Sequence, residues 1–317
     1  MDLKSVTVFG GSGFVGRYIV RELAKTGARV RVAVRNVERA QFLKPMGDVG
    51  QVVPLLANVR DDASVAAAVD GADAVINLVG ILYEGGRQTF QAVQAEAPGR
   101  IARAAAATGA RRFIQVSAIG ADPESESAYG RSKAAGEAAA RAAFPGTTVL
   151  RPSIVFGPED DFFNRFAAMA RLAPVLPLVN GGETRFQPVY VGDVADAALA
   201  ALRDPKSAGR TYELGGPGIY TFRALMELML REIGRKRVLL PVPEIALWAP
   251  AMAAELLPAP PLTRDQLIQL RRDNVVAPGA AGLPELGIQP TALEVILPTY
   301  LPRYRRGGAT ARLGTTG

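Results

Sequence analysis

The sequence predicts an α/β protein built on a doubly wound parallel sheet, with a smaller C-terminal lobe. Short apolar runs alternate with helical segments over residues 5–151, and the first run leads directly into closely spaced glycines, in SVTVFGGSGFVG. Strands that alternate with helices of this kind imply a parallel sheet covered on both faces. Right-handed crossovers between the strands then give a Rossmann-type arrangement.

The strands and helices of the first half follow from two periodicities. Residues 5–10 predict a buried strand because apolar and β-branched residues run on without interruption. Similar runs predict five further strands, at residues 29–34, 51–57, 74–79, 112–117 and 147–151. Helical spacing of apolar residues predicts the helices between them, at residues 14–26, 63–69, 91–108 and 132–143.

The pattern changes after Arg151-Pro152, where proline becomes frequent and the segments shorten. We therefore assign residues 1–150 to a nucleotide-binding domain, completed by a strand and helix within residues 188–204. The smaller lobe comprises residues 151–187 and 205–302. Residues 303–317 are rich in glycine and threonine from Gly307 onward, and this composition predicts a flexible tail.

Two residue types are absent, which narrows the available chemistry. None of the 317 residues is cysteine or histidine. The chain therefore lacks disulfides, thiolate ligands and a cysteine nucleophile, as well as the most common general base and metal ligand. We expect no metal site, and we expect any proton transfer to use Tyr, Lys, Asp, Glu or water.

The net charge of +7 favours anionic partners such as phosphates, acidic protein surfaces or anionic lipid headgroups. An ordinary solvated basic surface is the alternative interpretation. Nucleic acid is not expected, because the basic residues are scattered and no aromatic-rich binding strand accompanies them. The first strand begins by residue 5, and no apolar run reaches the ~18 residues that cross a bilayer, so we expect a cytoplasmic protein.

The glycine-rich turn after the first strand predicts dinucleotide binding. It contains two overlapping spacings, Gly10-x-x-Gly13-x-x-Gly16 and Gly11-x-Gly13-x-x-Gly16. A pyrophosphate site needs a tight turn, a bare backbone and close packing of helix on strand, so that amides at the helix N-terminus face the phosphates. A glycine turn used only for packing is the alternative.

The end of the second strand predicts the type of nucleotide. NAD-preferring sites place an acid there to accept a hydrogen bond from the ribose 2′-hydroxyl. This chain has Arg35 followed by Asn36, and a guanidinium binds a 2′-phosphate with paired hydrogen bonds. We therefore predict NADP(H) rather than NAD(H). The alternative places Arg35 on the surface beside Asn36 as a helix cap.

Tyr129 and Lys133 lie four residues apart and so share one helix face. In a reductase, a lysine so placed holds the nicotinamide ribose and lowers the pKa of the phenol, which then acts as an acid or base. The spacing is common by chance, but it becomes specific after a glycine turn and five strands.

Together these motifs resemble the extended and atypical short-chain dehydrogenase/reductases. The strand ending NLVG, the Tyr-x-x-x-Lys helix and LRPSIVFGPED all contribute. YGRSKAAGEAAARAAFP, FQPVYVGDVADA and PLTRDQLIQLRRDNVV are similar to one branch, the nucleotide-binding accessory subunit of respiratory complex I. The similarity covers roughly residues 5–300, and it implies a tightly held NADP(H) that stabilises the subunit.

The resemblance also implies which residues contact the cofactor. They come from the glycine turn, the ends of the next three strands and the Tyr-x-x-x-Lys helix: Gly10, Gly11, Ser12, Gly13, Phe14, Val15, Gly16, Arg35, Asn36, Asn58, Val59, Leu78, Val79, Gly80, Tyr129 and Lys133. Asn58 stands where the superfamily usually places Asp, and its amide is still able to meet the adenine amino group.

A second departure bears on catalysis. Active extended members end the fifth strand with Ser followed by Ser or Thr, whereas QVSAIGA puts Ala118 at the later position and leaves Ser117. Losing one positioned donor typically costs ~10²–10³ in rate. Tyr129 and Lys133 are then expected to persist as cofactor ligands. A register shifted by one residue would instead let Ser117 serve as the catalytic hydroxyl.

Three functions remain open from the sequence. The resemblance implies an NADP(H)-binding accessory subunit of a bacterial complex I, bound to other subunits on the cytoplasmic face of the inner membrane. The alternatives are an NADPH-dependent reductase or epimerase acting on a sugar nucleotide or another small carbonyl compound, and a binding module that senses the redox state of NADP(H). Residues 238–262, which are apolar and proline-rich, suit either a partner or membrane surface or the core of the smaller lobe.

Overall fold

The structure is a computed structural model that describes residues 3–308. Its strands, in chain order, are β1 Ser5–Phe9, β2 Arg29–Val34, β3 Val52–Leu56, β4 Ala74–Asn77, β5 Arg112–Val116, β6 Thr148–Pro152, β7 Val155–Phe156, β8 Val175–Val179, β9 Arg185–Phe186, β10 Val189–Tyr190, β11 Thr211–Leu214, β12 Tyr220–Thr221 and β13 Val238–Val242. Its α-helices are α1 Phe14–Ala24, α2 Asp62–Val69, α3 Ala97–Ala107, α4 Ala128–Ala143, α5 Phe162–Leu172, α6 Val191–Arg203, α7 Phe222–Glu232, α8 Glu244–Ala254, α9 Arg264–Gln269 and α10 Leu293–Tyr300.

A seven-stranded parallel sheet forms the first part of the molecule, in the order β11-β6-β5-β4-β1-β2-β3. The predicted doubly wound α/β fold is therefore confirmed. The strand order reverses between β1 and β4, and ligands of such sheets bind outside the carboxyl ends of the strands at that point. The six predicted strands are present, while β11 was not predicted.

The apolar runs form strands because both faces of the sheet are covered. The side chains of Val6, Val8, Val30, Val32 and Ile76 are all inaccessible to solvent. Helices α1 and α6 pack against each other, and α3 packs against both α2 and α4. Continuous burial of this kind is what selects uninterrupted apolar sequences over alternating ones.

Two helical segments differ from the prediction. The predicted helix over residues 91–108 begins as a π-helical turn, Gln91–Glu96, before α3. The predicted helix over residues 132–143 begins earlier, at Ala128, because the side chain of Ser127 accepts a hydrogen bond from the Gly130 amide and caps the helix. A 3₁₀ segment, Glu38–Met46, was not predicted.

The chain divides into two compact units. The first contains the residues up to Pro152, together with Val191–Leu214 and Ala277–Gln289. Residues 205–214 and 277–289 were predicted to lie in the smaller lobe, and the strand near residue 189 was predicted to lie in the nucleotide-binding domain, whereas Val189–Tyr190 belongs to the second unit. Backbone hydrogen bonding links residues 205–214 and 277–289 to the sheet, since the Glu213 amide donates to the Ala281 carbonyl at 2.8 Å.

The second unit contains Ser153–Tyr190, Gly215–Val276 and the described residues from Pro290 onward. It holds three strand pairs, β7–β10, β8–β13 and β9–β12, around an aromatic core that includes Phe163 and Phe222.

The chain from residue 303 was predicted to be flexible, but its first residues are ordered within the second unit. Arg303 donates to the carbonyl of Pro158 at 2.9 Å, and Arg305 donates to the carbonyl of Glu232 at 2.9 Å. Residues 309–317 of that predicted tail lie outside the described residues.

The apolar stretch 238–262 is partly core and partly surface. Leu247 and Trp248 on α8 pack against a small cluster formed by Val179, Ala251 and Leu267. A separate exposed set of apolar residues, here called the α8 face, consists of Ile245, Ala249 and Met252 on α8 and Leu256 just beyond its end. All four are exposed, and Ile245 and Leu256 are exposed by 78% and 87%. None of the helices within residues 3–308 is both long and apolar enough to cross a membrane.

Candidate dinucleotide site

The glycine turn joins β1 to α1 in a conformation that requires glycine. Gly10 has a φ of +77°, its amide donates to the Ala33 carbonyl at 3.2 Å, and its carbonyl accepts from the Gly13 amide at 3.0 Å. A Cβ at Gly16 would lie 2.4 Å from the Gly10 carbonyl oxygen, so only glycine permits this approach of helix to turn.

The N-terminus of α1 suits an anion. Gly13 is the N-cap residue and is exposed, and no side chain caps the helix. The amides of the first turn have no acceptor within the helix and carry the positive end of its dipole. Phosphate groups bind such termini. Ser12, Phe14 and Val15, which we predicted as contacts, are the neighbours of Gly13 in this turn.

Two glycine substitutions should separate binding from folding. Gly13 has a φ of −73° that any residue adopts, and an added Cβ would lie 3.2 Å from the Gly10 carbonyl oxygen. We expect G13A to fold but to lose nucleotide affinity by about 10-fold or more, because the methyl group occupies the space a phosphate needs. G16A is expected to destabilise the fold itself. Thermal unfolding and nucleotide titration of both variants test this, and nucleotide binding by G13A equal to that of the parent would contradict it.

Arg35 lies at the carboxyl end of β2, next to the glycine turn. The carbonyl of Ala33, two residues earlier, accepts the hydrogen bond from Gly10. The Arg35 side chain is exposed, and within residues 3–308 it forms no hydrogen bond or ion pair. Asn36 accepts from the Arg39 amide at 3.0 Å and so binds an amide in the first turn of the 3₁₀ segment, although the N-cap residue of that segment is Val37 and not Asn36 as the alternative interpretation expected. Arg35 is nevertheless available to an anion beside the turn.

The ends of β3 and β4 contribute the next predicted contacts. Asn58 donates from its backbone to the Ser64 hydroxyl at 2.9 Å, and its side-chain oxygen accepts from the Arg60 amide at 3.2 Å. The Val59 carbonyl accepts from Arg100 at 3.1 Å. Asn58 therefore orders the turn in which it lies, and its side-chain oxygen is already engaged there.

The turn after β4 lies against the glycine turn. A Cβ at Gly10 would lie 3.3 Å from the backbone of both Leu78 and Val79. The Val79 amide donates to the buried Asn77 side chain at 3.1 Å. Gly80 follows, and a Cβ there would lie 3.1 Å from the Lys133 Nζ atom. These contacts bring the predicted residues of the β1 and β4 turns to one edge of the sheet, with Lys133 beside them.

Tyr129 and Lys133 project from the first two turns of α4. The Lys133 Nζ atom lies 5.6 Å from the centroid of the Tyr129 ring, which packs edge-on against Phe90. Burial lowers the pKa of Lys133 to about 8, while the negative charge of Glu137 opposes this. The Lys133 amine thus lies in a dry site beside the Tyr129 ring.

Ser117 lies just beyond the carboxyl end of β5. Its Oγ atom is buried and has no hydrogen-bond partner among the described residues. A buried hydroxyl without a partner is costly and calls for an explanation such as a bound group. Ala118, which follows, supplies no second hydroxyl.

The site also depends on a residue that sequence reasoning missed. Gln94, in the π-helical turn, is buried and accepts a hydrogen bond from the Ile81 amide at 3.0 Å. Its amide nitrogen donates to the Ser132 hydroxyl at 2.9 Å, so it joins the turn after β4 to α4. π-Helical turns often mark functional sites, but no local sequence signal announces this one.

The arrangement fits a dinucleotide. A positive-φ glycine turn, a helix N-terminus and an exposed arginine at the end of β2, neither of which has a side-chain partner within residues 3–308, and a buried lysine all lie at the carboxyl edge of a doubly wound sheet. The chain matches the NAD dependent epimerase/dehydratase family over residues 6–215. It belongs to this family, which is of the extended short-chain dehydrogenase/reductase type.

Two mitochondrial relatives each match 95% of this chain. The mitochondrial NADH dehydrogenase [ubiquinone] 1 alpha subcomplex subunit 9 of Arabidopsis thaliana is 41% identical over 319 residues, which cover 95% of this chain and 78% of that protein. The mitochondrial NADH-ubiquinone oxidoreductase 40 kDa subunit of Neurospora crassa is 35% identical over 312 residues, covering 95% and 80%.

Solved structures show the same fold at lower identity. The dTDP-glucose 4,6-dehydratase of Streptomyces venezuelae, with NAD and TYD bound, has a TM-score of 0.71 and 19% identity, covering 95% of this chain and 96% of that one.

Proposed function

We propose that this chain is an accessory subunit of respiratory complex I, the NADH:quinone oxidoreductase, and that it holds NADP(H) tightly without turning it over. One observation carries the proposal: 41% identity to a subunit of that enzyme extends over 95% of this chain, far beyond the family match at residues 6–215. A shared nucleotide domain alone would not extend this similarity into the second unit.

The choice of NADP(H) rests on Arg35. An exposed guanidinium beside the glycine turn, without an acid at the end of β2, suits a 2′-phosphate. A bound nicotinamide nucleotide would supply hydride chemistry. The chain's own residues would bind its phosphates at the turn and its ribose at Lys133.

The absence of turnover rests on the missing hydroxyl. Tyr129 and Lys133 are in place, but Ala118 leaves the later position empty and Ser117 is the remaining hydroxyl of that pair. One missing donor lowers a rate by ~10²–10³. Lys133 and Tyr129 then serve to bind and orient rather than to move protons.

The second unit supplies surfaces for partners. The α8 face is apolar and exposed, as expected of a surface that other subunits cover. Desolvation lowers the pKa of Arg235, and the positive charges of the nearby Arg237, Arg306 and Arg171 lower it further. A cluster of arginines attracts anionic lipid headgroups. We place the chain on the cytoplasmic face of a bacterial inner membrane, bound peripherally through these surfaces.

Gradient separation tests the proposed assembly. Membranes of the source cell are solubilised in mild detergent, and fractions are assayed for NADH:quinone oxidoreductase activity and for this chain. We expect both in the same peak. A chain that migrates alone, while the activity forms an intact peak elsewhere, would overturn the proposal.

A further inference from the structure

Four charged side chains, contributed by three elements of the first unit, form a group that includes Lys133 of the candidate site. Lys133 and Glu137 are four residues apart on α4, Arg151 is on β6 and Glu213 is on β11. Lys133 and Glu137 are both buried. The four charges sum to zero when all are ionised, so the group is compensated as a whole.

Glu137 and Arg151 form the best-defined pair in this group. The Arg151 Nε and Nη2 atoms donate to the two carboxylate oxygens of Glu137 at 2.9 and 2.7 Å. Paired donors of this kind fix both position and orientation. Hydrogen bonding to Glu137 raises the pKa of Arg151, so this cation stays charged.

Glu213 completes the group at its far end. Its Oε1 atom lies 3.6 Å from the Arg151 Nη1 atom, and its Oε2 atom accepts from the Ala277 amide at 2.8 Å. Arg151 is therefore shared between two carboxylates, and the one nearer to Lys133 receives the paired hydrogen bonds.

Glu137 influences the protonation of Lys133 because few other charged groups surround that lysine. On its own helix, the titratable groups that face Lys133 are the Tyr129 phenol and Glu137. From the π-helical turn and the turn after β4 it is approached by Gln94 and Gly80, which carry no charge. Arg151 joins the group through its hydrogen bonds to Glu137, and Glu213 joins it through Arg151. The Glu137 carboxylate, which lies one helical turn from Lys133 and is held by the Arg151 guanidinium, is thus the carboxylate on this face of α4.

We propose that Glu137, held by Arg151, is a positioning residue that keeps Lys133 charged in its dry site. Without the Glu137 carboxylate, the buried ammonium would lose the negative charge that favours its protonated form, and it would lose its proton more readily. The inference rests on the proposed function in assigning nucleotide binding to Lys133, because binding would then weaken as pH rises and Lys133 becomes neutral.

Nuclear magnetic resonance tests the charge state without any nucleotide. The chain contains six lysines, so ¹³C labelling at lysine Cε gives few signals, and the K133M variant identifies that of Lys133. We expect its midpoint near pH 8 in the parent protein. In E137Q, which keeps the side-chain shape, the midpoint should fall by about one pH unit.

A variant that removes a positive charge distinguishes an electrostatic effect on Lys133 from structural damage. R151Q removes the cation and leaves the Glu137 charge, so it should move the Lys133 midpoint upward, whereas general loosening of the site would not give opposite signs. E227Q removes the same negative charge as E137Q, but from an exposed position on α7, and should leave the Lys133 midpoint unchanged. Equal midpoints in the parent, E137Q and R151Q would overturn the inference.

A parallel titration with NADPH distinguishes the two proposals. If the chain binds NADPH, affinity in E137Q should begin to fall at a lower pH than in the parent, with equal affinities at pH 6. Failure of the parent to bind NADPH would count against the proposed function while leaving the lysine titration interpretable. An NADPH affinity with the same pH dependence in both proteins would count against the role of Glu137.

Discussion

Replacing Arg35 with Asp is expected to reverse the nucleotide preference of this chain. The parent should bind NADPH more tightly than NADH, and R35D should bind NADPH about 100-fold more weakly, a loss of about 2.7 kcal/mol. The guanidinium is lost, and the new carboxylate repels the 2′-phosphate. The same carboxylate accepts a hydrogen bond from a ribose 2′-hydroxyl, so NADH binding should tighten. Equilibrium titration of each protein with both nucleotides, after removal of any nucleotide bound during purification, measures the change.

A control substitution at the other end of β2 separates the effect of the residue's position from the effect of net charge. Arg29 is exposed at the start of β2, and R29D makes the same change in charge at a distance of about 17 Å from the carboxyl end. It should leave both affinities close to those of the parent. An R35D protein with the parent's ratio of NADPH to NADH affinity would refute the assignment of the 2′-phosphate to Arg35.

The double variant I245D/M252D is expected to release the chain from complex I. Both side chains lie on the α8 face and are exposed by 78% and 55%, so they contribute little to the core. If a partner covers them, each supplies roughly 1.5–3 kcal/mol of apolar burial, and a buried carboxylate adds a further cost. The chain should leave the complex I peak on the detergent gradient, while its NADPH affinity and unfolding temperature stay close to the parent values.

A matched pair of exposed residues outside α8 serves as the control. Val49 and Val295 are exposed by 108% and 63%, and V49D/V295D should remain in the peak. Substituting Leu247 or Trp248 would be less informative, because these side chains pack in the small cluster and their loss would damage the fold. Retention of I245D/M252D in the complex I peak would show that the α8 face is not part of the surface that binds complex I.

Much of the first unit is predictable because its strands are buried on both faces. Burial of both faces leaves an almost unbroken apolar signal, and the predicted strand at residues 74–79 contains β4, Ala74–Asn77, whose residues are all buried. The strand β11 is not predicted in this way because Glu213 interrupts its apolar run. That glutamate forms an ion pair with Arg151. The return of residues 277–289 to the sheet depends on contacts across more than 60 residues, such as the bond from Ala277 to Glu213, and no local pattern encodes it.

The residues of the candidate site also fall into two groups, those that the sequence predicts and those that it does not. The glycine turn is recognisable because Gly10 and Gly16 occupy positions that exclude a Cβ, and such constraints appear directly in the sequence. Gln94 and Glu137 are different, because an ordinary polar residue in a helix gives no sign of what it will face after folding. The early start of α4 depends on Ser127 as its cap, a signal that was present but weaker than the alanine-rich run after Ser132.

The most direct test of a nucleotide-holding subunit is the nucleotide content of the purified complex. The peak fraction is incubated with an excess of isotopically labelled NADPH, freed of unbound nucleotide and denatured, and the released nucleotides are identified and counted against this chain. We predict one NADP(H) per chain, with little label incorporated. Rapid and complete replacement by the label, NAD(H) in its place, or no nucleotide at all would contradict a tightly held NADP(H).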